Sequence, residues 1–183
     1  SPGACCGPTV TADQYPYTAS STSLSVLAVP RPYRQRERLL SALQDPAAAV
    51  KLRQGIAAEI KPRNRGADLV VASYAHNRNW QGKNLVQLAE QEESTAVEIV
   101  LQIERNGGAQ MVSFSINEAE VRLIMQQPFV ATASDGGSQQ LDAQTRPHPR
   151  NYGCFPRKVG RYAVRGQTVT LAQAIRSCSG LAA

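Results

Sequence analysis

An apolar run, Phe129-Val130-Ala131-Thr132-Ala133, ends in Ser134-Asp135-Gly136 and is followed by Arg146-Pro147-His148-Pro149-Arg150. This pattern predicts a carboxylate at the C-terminal tip of a buried strand, with an arginine loop beyond it. In α/β proteins the loops at strand ends carry the chemistry while the strands hold it rigid. Asp135 in that position is free to point into a cleft. It could ligate a metal, or take a proton from a metal-bound water and pass it to a leaving group. Asp before Gly is also ordinary turn chemistry, so the residues by themselves leave that reading open.

Arg150 is the second candidate. Pro147 and Pro149 stiffen the chain around it, and a guanidinium held stiffly suits a two-pronged grip on a carboxylate. The alternative is a solvated surface arginine. Tyr15 lies just past a short strand, where its phenol could polarise a carbonyl or stabilise an oxyanion. Ser21 goes with it, whereas Tyr17 reads as a packing residue. His148, between two prolines, reads as structural, and His76 as solvent-facing. With these two histidines alone the chain cannot build a His-rich metal site. No GxGxxG, GxxxxGK, HExxH or GxSxG occurs, so nucleotide, zincin and esterase-elbow readings have no support.

These residues need a scaffold, and the length of 183 residues allows one domain with a real core. Hydrophobic residues make up 42% and charged residues 19%, a globular balance. No apolar run reaches the roughly 18 residues of a membrane span, and no signal peptide opens the chain. The net charge of +6 is dispersed, and aromatic residues are 5%. A nucleic-acid binder is expected to show tight basic stripes with aromatic stacking partners, so this class is disfavoured. A basic anion- or nucleic-acid-binding module remains the alternative function. Cys5, Cys6, Cys154 and Cys178 form neither a CxxC nor a disulfide framework. Free thiols in a reducing, cytoplasmic compartment are expected.

Periodicity predicts helices over 34–43, 47–60, 84–89 and 95–104, with strands over 68–74, 111–116 and 129–133. The 47–60 helix starts at Asp45-Pro46 and lays Val50, Leu52, Ile56, Ala57 and Ile60 on one side. Thr18 to Ser25 reads as a loop. Asn117 with Glu120, and Thr170 with Gln173, read as capping boxes. Val121, Leu123, Ile124 and Met125 are expected on the apolar side of the first of these helices. Strands alternating with helices favour an α/β fold with a mostly parallel sheet.

Several strings together resemble the N-acyl-D-amino-acid deacylases, the D-aminoacylases of the amidohydrolase superfamily. They are Asp13 to Thr22 (DQYPYTASST), Gly82-Lys83-Asn84-Leu85, Ser134-Asp135-Gly136, and the long string Arg146 to Arg157 (RPHPRNYGCFPR). The resemblance implies a zinc-dependent (β/α)8 barrel that hydrolyses the amide of an N-acylated D-amino acid, a small-molecule substrate. It puts the strand-eight aspartate, catalytic and metal-binding, on Asp135. The substrate-binding tyrosine, serine and arginine fall on Tyr15, Ser21 and Arg150. The family's other metal ligands, carried on earlier strands, have no counterpart here. The chain is therefore expected to be a C-terminal portion, a partial TIM-type barrel of about strands seven and eight. Residues 1–23 would end strand seven, 24–65 form a helical insertion, and 66–183 carry the rest of the insertion, strand eight, the arginine loop and a last helix. A complete barrel takes about 250 residues. Such a piece is expected to be inactive alone, not to hold zinc stably, and to self-associate through uncovered barrel surfaces.

Overall fold

In a computed structural model, residues 10–138 and 147–181 are described. They fall into two units, each with its own core: 10–18, 116–138 and 149–181 in the first, 19–115 and 147–148 in the second. The chain starts in the first unit with β1 (Ala12–Gln14). It then builds the second from β2 (Ser20–Ser23), α1 (Leu24–Ala28), α2 (Arg36–Gln44), α3 (Pro46–Ile60), β3 (Leu69–Ser73), α4 (Leu85–Gln91), α5 (Ala96–Arg105) and β4 (Gln110–Ser113). It returns to the first with α6 (Glu118–Met125), β5 (Val130–Thr132), α7 (Arg150–Arg157), a π-helical stretch (Lys158–Arg165) and α8 (Leu171–Cys178). Among the described residues no helix is long and apolar enough to cross a membrane.

The second unit is a three-stranded antiparallel sheet, in the order β2-β4-β3, packed with helices. This corrects the expectation of a mostly parallel sheet. Alternating elements do not fix strand direction, and the parallel contribution is confined to the other unit. The Ser/Thr stretch is also not simply a loop. Ser20–Ser23 pairs with β4, with Ser21 opposite Val112. Small polar side chains suit a half-exposed strand, which has no apolar alternation to reveal it.

The helices of this unit start where their caps require. The Asp45 side chain accepts from the backbone N–H groups of Ala47 and Ala48. Thr95 caps α5, and Asn84 forms a capping box with Gln87. Leu52, Ile56 and Ile60 of α3 are buried as expected, whereas Val50 and Ala57 face outward. Trp80 is buried in this core and donates its indole N–H to Glu92.

In the first unit β1 and β5 pair in parallel, Ala12 opposite Val130 and Gln14 opposite Thr132. Val121, Met125, Tyr162, Ala163, Val169 and Ala174 form its core. Leu123 and Ile124 of α6 are exposed, contrary to the expected apolar side. Asn117 caps α6 by accepting from Ala119, without a reciprocal bond from Glu120. Thr170 and Gln173 do form a capping box at α8. A buried hydroxyl pair, Thr132 with Ser177 at 3.0 Å, ties α8 to β5. Residues 150–165 are helical, not a loop, even though Pro156 lies inside α7.

Candidate active site

The parallel pairing of β1 and β5 brings their C-terminal ends to the same side. Tyr15 follows β1 directly, and Asp135 lies three residues beyond β5. Arg150 opens α7. Its Nη1 donates to the Asp135 carboxylate at 2.9 Å, and its guanidinium lies 4.8 Å from the centroid of the Tyr15 ring. Three of the four residues singled out by sequence therefore meet within one unit. Ser21 belongs to the second unit, on β2.

The two members of the ion pair have different surroundings. The Arg150 side chain is 10% exposed and that of Asp135 is 67% exposed. A guanidinium anchored by burial and by an aromatic face presents a fixed fork, while the carboxylate it holds remains open to a ligand. Asp135 has φ +46°, a left-handed conformation, and the Gly136 N–H donates to the Ser134 hydroxyl. The turn reading of Asp135 is thus realised, and the carboxylate on that turn is the one that pairs with Arg150. The left-handed backbone aims the carboxylate toward α7.

α7 fits closely against this turn. A Cβ on Gly136 would stand 2.9 Å from the Asn151 Cα, so only glycine allows the approach. Cys154 donates its thiol to the Ala133 carbonyl at 2.7 Å. Burial pushes that thiol up to about 11, with Cys178 adding to the rise and Arg150 and Lys158 opposing it. On the β1 side, Tyr17 donates to the Pro149 carbonyl at 3.2 Å, and Arg157 donates to the Pro16 carbonyl at 2.6 Å while stacking on Tyr17. Burial raises the Tyr17 phenol, a rise that Arg157 opposes. These positioning groups, Asn151, Cys154 and Arg157, carried no signal of their own in the sequence. All three lie in the string 146–157, whose length was the signal available.

His148 is buried, with Nε2 2.8 Å from the Ala19 carbonyl, which agrees with its structural reading. His76 is exposed beside Tyr74. Among the described residues no three His, Cys, Asp or Glu side chains gather as a metal site. Zinc takes about four such ligands, and Asp135 is a carboxylate just beyond β5. Cys154 and Cys178 are unbridged.

No family model matches the chain. A curated relative, the N-acyl-D-glutamate deacylase of Alcaligenes xylosoxydans xylosoxydans, is 36% identical over 72 residues, which are 39% of this chain and 14% of that protein. In solved structures the fold matches the N-acyl-D-glutamate deacylase of Bordetella bronchiseptica, with a TM-score of 0.62 and 24% identity over 93% of this chain. The chain matches one part of the N-acyl-D-amino-acid deacylases. A structure of D-aminoacylase, described as defining a novel subset of amidohydrolases, matches with a TM-score of 0.60 and 23% identity. The chain spans 27% of each of these two solved deacylases. The Bordetella deacylase was solved with zinc and a phosphonate mimic of the tetrahedral intermediate, and a D-aminoacylase structure is described as holding a binuclear metal centre.

Proposed function

We infer that this chain is part of a deacylase that hydrolyses N-acyl-D-amino acids. β1 and β5 would be neighbouring strands, about the seventh and eighth, of a (β/α)8 barrel, and the antiparallel unit an insertion between them. The observation that carries the reading is the meeting of Asp135, Arg150 and Tyr15 at one end of a parallel strand pair.

In the proposed reaction, water adds to the acyl carbon and the C–N bond breaks, giving a carboxylic acid and a free amino acid. Asp135 accepts the proton that the attacking water loses and returns it to the departing nitrogen, so one carboxylate serves as base and then acid. Arg150 would grip the α-carboxylate of the substrate by exchanging its ion pair with Asp135 for one with the substrate, its guanidinium being held by burial and by the Tyr15 ring. Tyr15 contributes its hydroxyl to substrate binding. The metal of the relatives would take Asp135 from this chain and its remaining ligands from other residues. The chain by itself is then expected to be inactive.

Arg150→Lys tests the substrate role. It keeps the charge but loses the fork. In enzyme completed with the preceding barrel strands of a relative, KM for an N-acyl-D-amino acid should rise about tenfold or more, the worth of one charge-assisted hydrogen bond. A decarboxylated N-acyl amine should be indifferent to the change. An equal effect on both substrates would remove Arg150 from carboxylate binding.

A further inference from the structure

The second unit carries a cleft that the reaction above does not use. It is an open space of about 430 Å³, lined by Ser23, Ser25, Arg34, Arg36, Glu104 and the Gly107–Gln110 turn. Glu104 sits in the last turn of α5 and is 9% exposed. Its Oε1 is buried without a hydrogen-bond partner. No ion pair among the described residues joins Glu104 to either arginine. A buried carboxyl oxygen with no donor costs on the order of 1–3 kcal/mol or more, so the acid beside the cleft is short of donors.

The arginines are fixed in place. Arg34 donates through Nε to the Val29 carbonyl at 3.0 Å and through Nη2 to the Val26 carbonyl at 2.9 Å. Arg36 donates through Nη2 to the Arg105 carbonyl at 2.7 Å. A guanidinium carries five N–H donors, so each keeps donors to spare. The Ser23 and Ser25 hydroxyls are hydrogen-bonded to each other at 3.1 Å, which leaves one hydroxyl hydrogen of the pair to donate to an anion. Gly108, at φ +80°, presents no side chain to the carboxyl: a Cβ there would lie 3.7 Å from Glu104 Oε2. Space beside the acid is thereby kept open.

We propose that this cleft binds a small zwitterion, a free α-amino acid, with its ammonium on Glu104 and its carboxylate on Arg34, Arg36 and a serine hydroxyl. A plain anion would leave Glu104 without a donor, and a plain cation would meet two guanidinium groups of its own sign. A molecule carrying both charges answers both demands. A volume of this size is ample for one amino acid. The argument stands on the second unit alone and does not depend on the deacylation reading, although a free amino acid is the kind of product that reaction releases.

The test is binding of glycine and of D- and L-alanine to the chain, followed by titration calorimetry and by the fluorescence of Trp80. N-acetylglycine lacks the ammonium and methylammonium lacks the carboxylate, and both should bind at least about tenfold more weakly than glycine. Glu104→Gln and Arg36→Gln should each weaken glycine by a similar factor, with Trp80 emission confirming that the unit is folded. If Glu104→Gln does not fold, Arg36→Gln carries the test. Glycine binding no better than N-acetylglycine, or undiminished in the folded variants, overturns the proposal, as does no detectable binding at millimolar concentrations. Glu104→Gln should leave deacylation by the completed enzyme unchanged, so failure of the cleft and failure of the proposed reaction are told apart.

Discussion

Burial at the end of α5 raises the Glu104 carboxyl from its ordinary 4.5 to about 7. The folded protein therefore holds this proton over a range where the unfolded chain has released it. Stability changes with pH in proportion to the protons bound unfolded minus those bound folded. Between about 4.5 and about 7 that difference is negative for Glu104, so its contribution falls as pH rises and is level above about 7. At 1.36 kcal/mol per pH unit, the whole fall is on the order of 3 kcal/mol. Glu104→Gln removes the titration and keeps the shape. Urea unfolding followed by Trp80, the one tryptophan, which is buried in the core of the same unit, measures the effect between pH 4.5 and 8. The wild type should lose on the order of 3 kcal/mol relative to the variant across this range, with the two closest at the acid end. Parallel pH profiles for the two proteins would refute the reasoning, because they would mean that Glu104 titrates alike in the folded and unfolded states.

Two further outcomes concern the packing of α7. Gly136→Ala forces a Cβ to 2.9 Å from the backbone of Asn151, so α7 must shift; thermal unfolding should show a loss of roughly 1–3 kcal/mol, and unchanged stability would mean that the approach is not tight. Cys154, with its thiol pushed up to about 11, should resist iodoacetamide at pH 8 in the folded chain and react readily once unfolded; equal labelling rates in both states, read by peptide mass, would contradict its burial.

Much of the scaffold was legible because local chemistry fixes it. Asp45, Asn117 and Thr170 each cap the helix that follows, and Leu69, Val71 and Met111 are buried on strands. What was not legible depends on distant partners. Ser20–Ser23 became a strand because β4 offers it a pairing edge, and nothing in four small polar residues announces that. Strand direction was likewise beyond reach, since β3 and β4 would show the same apolar runs in either orientation. Leu123 and Ile124 fit the helical period but face outward.

For the site, residue type singled out Asp135, Arg150 and Tyr15, and the parallel register of β1 and β5 explains why they meet. Pro147 and Pro149 suggested a stiff loop around Arg150, but Arg150 is the first residue of a helix. Its grip comes from burial and from the Tyr15 ring more than from the flanking prolines. The supporting bonds from Cys154 to Ala133 and from Arg157 to Pro16 join residues far apart in the chain, so no local pattern could reveal them.

The central claim is that Asp135 is the proton carrier of an amide hydrolase. Its most direct test completes this chain with the preceding barrel strands of a deacylase relative, supplies zinc, and measures hydrolysis of an N-acyl-D-amino acid with Asp135 intact and as Asp135→Ala. The account expects turnover with Asp135 and a loss of at least about a hundredfold without it, the lower end of what a positioned acid–base group contributes. Equal turnover by the two proteins, or none from a folded and zinc-loaded wild type, would contradict it.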